Sequence, residues 1–206
     1  MRREAVVAAL VAVAVLALAG CGDSSSGEPG KAARTATSAT NGDLARDVRQ
    51  AELATRATPR DADALARLIL LRFQAATAAG NRTAGSFSAA GKEQLRRAAA
   101  DWARYLALDP RAPDVQLASL MVQAFGANAL NDPRRAVRAQ QIVVARSRPP
   151  QASLYAQLAL LHYRAKQPDA GDRAAARAVR LTPLSQRGPL RQQLRELKSP
   201  PASQGP

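Results

Sequence analysis

Residues 152–183 read ASLYAQLALLHYRAKQPDAGDRAAARAVRLTP, and this stretch decides the fold. In its first half, Leu158 and Tyr163 stand three and eight positions after Tyr155, so these large apolar residues form one stripe on a helix. In its second half, small residues stand four and three positions apart, which lets two helices approach closely: Gly171, Ala175 and Ala178. Pro183 ends the unit, because proline stops a helix at or before the residue that precedes it. The stretch therefore predicts a pair of closely packed helices.

The same two spacings occur twice more towards the N-terminus. The apolar stripes of the two further first helices are Leu65, Leu68, Ile69 and Phe73, and then Leu117, Leu120, Met121 and Phe125. The contact residues of the two further second helices are Ala98, Trp102 and Tyr105, and then Ala136, Gln140 and Val143. Pro110 and Pro149 close these units. Because no segment alternates apolar and polar residues as a strand does, the fold is predicted to be all-α.

Three helix pairs with small residues at their crossings and a closing proline resemble tetratricopeptide repeats. The resemblance covers residues 61–183 and implies antiparallel helical hairpins that stack as a short solenoid. The sequence departs from the family in three ways. The second unit is about three residues longer than the family's repeat. Residues 80–91 form an insertion in the first unit, and Ile69, Met121 and Ala159 stand where the first helix of a repeat carries glycine. A plain helical bundle is the alternative arrangement.

Flanking segments complete the predicted helical domain, residues 43–198. Residues 43–56 read as a helix that precedes the first pair. Residues 187–198 carry three leucines on one face and read as a capping helix, which a solenoid needs to cover the apolar side of its last repeat: Leu190, Leu194 and Leu197. Residues 199–206 contain proline and are expected to form a disordered tail.

The N-terminus reads as an export signal. Two arginines precede an apolar run, residues 5–19, which is too short for a comfortable span of a ~30 Å hydrocarbon core. The sequence LAGC follows at positions 18–21 and resembles the lipobox of bacterial lipoproteins. That resemblance implies cleavage of a signal peptide, residues 1–20, and acylation of Cys21, the single cysteine of the chain. An uncleaved transmembrane helix is the alternative.

Residues 22–42 are rich in serine, threonine, glycine and alanine and show no apolar periodicity. We therefore expect residues 21–42 to be a lipidated cysteine followed by a flexible tether. An anchor and a tether of this kind place the helical domain at the extracytoplasmic face of the cell membrane. Two acyl chains are needed for stable anchoring, because a single chain holds a protein weakly.

The chain is strongly basic, with a formal net charge of +14. Such a surface attracts anionic lipids and anionic polymers. A patch that binds nucleic acid is the other interpretation. It is disfavoured because no cluster of arginines is interleaved with stacking aromatic residues, and because an exported chain does not meet nucleic acid. No nucleic-acid partner is therefore expected.

No set of residues points to catalysis. The single histidine, His162, is either a general base or a residue packed within its helix. Packing is favoured, since no titratable partner stands at a fixed spacing from it. The sequence has neither metal-ligand spacing nor a phosphate-binding glycine loop. We therefore expect a protein that is not an enzyme and that uses no cofactor, metal or small-molecule substrate.

Binding to another protein is the predicted function. In tetratricopeptide arrays the first helices of the pairs line a concave groove, and this resemblance places six residues there by register: Leu70, Phe73, Val122, Phe125, Leu160 and Tyr163. The alternative is that the aromatic residues among them pack between adjacent repeats. The sequence thus predicts a membrane-anchored interaction scaffold that holds a protein partner in the cell envelope. The alternative function is a basic lipoprotein that binds anionic lipid or cell-wall polymer.

Overall fold

The computed structural model describes residues 29–79, 86–110 and 112–198. Within these ranges every regular element is helical, which confirms the predicted all-α class. The α-helices are, in order, α1 Pro29–Ala57, α2 Ala62–Ala78, α3 Ala89–Ala107, α4 Val115–Ala124, α5 Pro133–Arg146, α6 Ala152–Arg164, α7 Pro168–Leu181 and α8 Arg187–Lys198. A single turn of 3-10 helix, Leu184–Gln186, leads into α8.

Short polar side chains set where several helices begin. The carboxylates of Asp61, Asp114 and Asp132 accept backbone N–H bonds of 2.9–3.1 Å in the first turns of α2, α4 and α5. Ser88 does the same for α3, since its hydroxyl accepts the Gly91 N–H at 3.0 Å. Each such cap replaces a hydrogen bond that the first turn lacks, and contributes about 1 kcal/mol. The loops between helices are therefore anchored at the residue where each new helix starts.

The helices pack in consecutive pairs. Helix α2 packs against α3, α4 against α5, and α6 against α7, as the repeated spacings predict. The pairs are joined in series, because α4 contacts both α2 and α3, and α6 contacts α5. Helix α1 lies on α2, and α8 lies on α6 and α7. The first and last helices therefore flank the three pairs.

Small residues at the crossings bring the helices close together. Ala98, Ala136 and Ala178, which the spacings single out, are completely buried. Gly91 lies so near α2 that an added Cβ would be 2.7 Å from the backbone oxygen of Ala76. Such a distance is well inside ordinary van der Waals contact, so only glycine permits this separation of α2 and α3. With few aromatic residues available, the chain builds its core from leucine and alanine between closely spaced helices.

Two boundaries differ from the sequence-based expectation. Helix α1 begins at Pro29, so residues 29–42, expected as part of the tether, are helical. We expected a flexible tether there because the segment has no apolar face. The absence of an apolar face indicates that a segment is not buried, but it does not exclude a helix. Alanine, lysine and arginine in this segment favour a helix even without burial. Helix α3 begins at Ala89, so Gly91 belongs to that helix and not to the insertion. Residues 1–28, 80–85, 111 and 199–206 lie outside the described residues, and the signal, Cys21 and the tail lie among them.

None of the described helices has both the length and the apolar composition needed to cross a membrane.

Candidate functional site

Three of the six expected groove residues lie in the core. Phe73 is 8% exposed, Val122 7% and Phe125 2%. Phe73 packs edge to face against Phe87, with the ring centroids 6.4 Å apart. A partner could reach these side chains only after the helices separate. Their burial favours the alternative, in which these residues pack between helices, and we do not assign them to a binding surface.

The other three groove residues are accessible to different degrees. Leu70 is 41% exposed on α2, whereas Leu160 and Tyr163 on α6 are half-buried. Helices α2 and α6 do not contact each other. The structure therefore leaves accessible side chains on two separate first helices, and of these three residues Tyr163 hydrogen-bonds a polar side chain of another helix.

Tyr163 is the centre of a polar cluster that joins three helices. Its hydroxyl on α6 donates to Asp172 Oδ1 on α7 at 2.9 Å. Lys198 Nζ, at the end of α8, donates to the same carboxylate at 2.7 and 3.0 Å. The ring of Tyr163 lies directly over Gly171, where an added Cβ would be 2.4 Å from it. The glycine that the sequence marks in the second helix thus makes room for the aromatic residue at the end of the first.

The polar cluster changes the ionisation of its members. Burial raises the pKa of Tyr163 to about 12, helped by the hydrogen bond to Asp172 and by the negative charge of that carboxylate. The hydrogen bond from Lys198 holds the pKa of Asp172 below its usual value, and the Tyr163 hydroxyl acts in the same direction. At neutral pH the Tyr163 phenol is therefore neutral and Asp172 is a carboxylate.

Beside this cluster, α7 and α8 form an open cleft of about 410 Å³, which we call the basic cleft. Its floor is apolar: Ala175, Val179 and Leu194. Its rim is cationic: Arg180, Arg191 and Arg195, with Lys198 at one end. An arrangement of this kind can hold an anionic group on the rim and an apolar group on the floor.

The charge of the chain is concentrated in the same half of the molecule as the basic cleft. Residues 133–198 contain 14 lysine and arginine residues against three acidic ones, a net charge of +11. Residues 43–132 contain 12 basic and ten acidic residues, a net charge of +2. The total for the chain hides this asymmetry. Counting charges separately for the two halves would have found the basic surface from the sequence.

His162 has a structural environment. It is buried, and its Nδ1 lies 2.8 Å from Gln167 Oε1. The Gln167 N–H donates to the His162 carbonyl at 2.9 Å, so the two residues together close the turn between α6 and α7. These contacts favour the packing interpretation over the general base. In the part of the chain that the structure describes, no three histidine, cysteine, aspartate or glutamate side chains are grouped so that they could hold a metal ion.

Comparison with known proteins yields no relative. No protein-family model matches the chain, and no characterised protein and no solved structure matches it either.

Proposed function

We propose that this chain is a non-enzymatic scaffold, lipid-anchored at the extracytoplasmic face of a bacterial cell membrane, that recruits a protein partner through tetratricopeptide-like helix pairs. The observation that carries the proposal is the serial packing of α2/α3, α4/α5 and α6/α7. Stacked pairs form an extended surface in which each unit contacts its neighbours, and such surfaces bind other proteins.

The crossing of α6 and α7 supports the tetratricopeptide-like part of the proposal. Gly171 and Ala178, which match marked positions of the repeat, are buried in α7, and Ala159 is completely buried in α6. The ring of Tyr163 lies against Gly171. Small residues on one helix and a larger side chain on the other allow the close approach that the repeat requires.

The sequence at positions 18–21 supports the anchor. Cys21 is the only cysteine, and it follows a leucine and two small residues at the end of an apolar run. A single cysteine cannot form a disulfide within its own chain, and acylation would give this thiol a role in an exported protein. The acyl chains would hold the helical domain close to the membrane surface.

The anchor is tested by labelling cells with a palmitate analogue and comparing the chain with its Cys21→Ser variant. We expect label and membrane association in the parent chain and neither in the variant. Equal labelling of both chains, or a parent chain recovered without lipid from the cytosol, would refute the anchor.

The partner surface is tested by placing a photocrosslinking amino acid at Leu70 and at Leu160, the accessible positions of two first helices. Gln141 on α5 is the control, because it is exposed on a second helix. We expect a discrete crosslinked protein from Leu70 or Leu160 and none from Gln141. Crosslinks from Gln141 alone, or no crosslink from any position in intact cells, would contradict the scaffold.

A second candidate function is a basic lipoprotein that holds anionic lipid or cell-wall polymer. The net charge of +11 on residues 133–198 favours it. Ionic strength distinguishes the two functions, since exposed charges are screened beyond about 10 Å at 0.1 M salt. Polymer binding is expected to weaken steeply between low and moderate salt, whereas docking of an apolar protein segment is expected to change little.

A further inference from the structure

The basic cleft combines an apolar floor with a cationic rim. Val179 and Leu194 form a buried apolar floor, and Leu194 is the one buried side chain of α8. Arg180 from α7 and Arg191 and Arg195 from α8 surround it. A ligand that matches the cleft therefore needs an anionic group and an adjacent apolar group.

Among the described residues, no carboxylate lies within ion-pair distance of the three rim arginines, so their charges are available to a ligand. Lys198 is paired with Asp172, and Arg187 donates to the carbonyl oxygens of Thr182 and Arg180 at the end of α7. Arg191 and Arg195 stand four residues apart on one helix face, a spacing at which like charges repel and destabilise the helix. An anion between them would relieve that repulsion.

We propose that the basic cleft binds an anionic phospholipid, with the phosphate held by Arg180, Arg191 and Arg195 and the first methylene groups on the Val179–Leu194 floor. The planar guanidinium group suits this role because it binds phosphate through two parallel hydrogen bonds. Basic pockets between transmembrane helices bind anionic headgroups through the same side chains. A purely anionic polymer would engage the rim and leave the apolar floor uncovered.

A lipid in this cleft would deepen the second candidate function, binding of anionic lipid, by naming its site, and it rests on the proposed placement of the domain at a membrane surface. A lipid in the cleft would give the domain a second membrane contact besides the anchor at Cys21. The end of α8 would then face the bilayer, and the orientation of the stacked helix pairs relative to the membrane would be fixed.

The test uses a chain that begins at residue 22, which removes the apolar signal segment. This chain keeps the whole core, because every buried side chain of the described residues lies between Val48 and Leu194. The probe is dihexanoyl phosphatidylglycerol, a short-chain lipid, kept below the concentration at which it aggregates. Binding is followed by calorimetry and by the NMR signals of Tyr163, which lines the cleft.

The cleft variant is Arg191→Gln with Arg195→Gln. Its matched control is Arg134→Gln with Arg138→Gln on α5, because these arginines are also exposed, also four residues apart and also within the basic half. We expect the cleft variant to weaken lipid binding by about tenfold or more, as expected when charge-assisted hydrogen bonds are lost. We expect the control to retain the affinity within about twofold, since distant charges are screened.

Several results would overturn the inference. The first two are that the lipid does not bind, or that the cleft variant and the control weaken its binding equally. The other two are that dihexanoyl phosphatidylcholine binds as tightly as dihexanoyl phosphatidylglycerol, or that glycerol 3-phosphate, which lacks the acyl chains, does so. Tighter binding of a glutamate–leucine peptide than of the lipid, lost in the cleft variant, would assign the cleft to an acidic protein segment. The crosslinks expected at Leu70 and Leu160 do not involve the cleft, so failure of the lipid test and failure of the scaffold are distinguishable.

Discussion

The guanidinium group of Arg72 on α2 lies against the carboxylate of Asp101 on α3, with Arg72 Nε 2.9 Å from Asp101 Oδ2 and each side chain only 9% exposed. Arg72 Nη2 also lies 3.0 Å from Glu52 Oε1 on α1. One buried cation therefore links the first three helices. The Nε–H does not point at the carboxylate oxygen, and Arg72 Nη1 has no hydrogen-bond partner, so the site depends on the two ion pairs.

Asp101→Asn is expected to destabilise the fold by about 3 kcal/mol, because it leaves the buried Arg72 charge with only the more exposed Glu52. Urea denaturation followed by circular dichroism measures the change. Glu93→Gln on the same helix is the control, since Glu93 forms its ion pairs with Arg96 and Arg97 at the surface. We expect no resolvable change for the control. Equal stability of Asp101→Asn and the parent chain would show that the ion pair does not hold α2 and α3 together.

A double variant separates the loss of the pair from the isolated charge. Arg72→Met with Asp101→Leu removes both charges and fills the site with apolar side chains. Apolar replacement of a buried pair is often neutral or stabilising. We therefore expect the double variant to be more stable than Asp101→Asn alone. A double variant that is less stable would mean that the lost contacts of Arg72 with Glu52 and of Asp101 with Arg104 outweigh the removal of the isolated charge.

Gly171→Ala is expected to destabilise the crossing of α6 and α7. An alanine inside a helix normally gains about 1 kcal/mol over glycine. Here its Cβ would be 2.4 Å from the Tyr163 ring, and overpacking of this kind costs roughly 1–3 kcal/mol. Gly42→Ala is the control, because nothing lies within 4 Å of an added Cβ there. Denaturation midpoints should fall for Gly171→Ala and rise for Gly42→Ala. A rise in both would show that the crossing has room for a methyl group.

Local signals in the sequence predicted most of the helices. The closing helix was predicted at residues 187–198 and is observed at Arg187–Lys198. Its leucine spacing and the preceding Pro183 are short-range features, which a single sequence displays. The buried Arg72 could not be predicted in this way. It stands beside Phe73 in an apolar stripe, and its burial depends on carboxylates from two other helices.

The same distinction between short-range and tertiary features applies to the candidate site. Helical periodicity gives the face on which Phe125 and Tyr163 lie, but it does not tell which neighbour covers that face. Phe125 is covered in the core, whereas Tyr163 is left half-buried and meets Asp172 and Lys198. The basic cleft arises where α8 returns onto α7. Such a return is a tertiary contact, so no spacing within either helix could predict the cleft.

Leu194→Ala is expected to release α8 from α6 and α7. Leu194 is 5% exposed and is the buried contact of that helix, and removal of a buried leucine side chain costs about 2–5 kcal/mol. Among the described residues, α8 contacts only α6, α7 and the turn Leu184–Gln186, so the loss falls mainly on α8. Hydrogen exchange should show faster exchange of the α8 amides with unchanged protection in α2 and α3. Leu197→Ala is the control, because Leu197 is 40% exposed. If the α8 amides of Leu194→Ala kept their protection, residues other than Leu194 would hold α8 to α6 and α7.

High pH is expected to weaken the contact among α6, α7 and α8 through Tyr163. The folded state raises the pKa of this phenol from 10.0 to about 12, so the unfolded chain loses the proton first. The stability that comes from the neutral phenol is therefore fully present below pH 10 and is lost as the pH rises towards 12. The measurement is the denaturation midpoint of the parent chain and of Tyr163→Phe across this interval.

The difference between the two chains isolates Tyr163 from the other tyrosines. Tyr163→Phe keeps the ring over Gly171 and removes the hydroxyl that donates to Asp172. We expect the parent chain to lose stability more steeply than Tyr163→Phe between pH 10 and 12. In Asp172→Asn, stability should fall less steeply with pH than in the parent chain, because the carboxylate that opposes ionisation of the Tyr163 phenol is gone. Parallel slopes for the parent chain and Tyr163→Phe would mean that the phenol ionises equally well in the folded and unfolded states, and the Tyr163–Asp172 hydrogen bond would then have no part in holding α6 to α7.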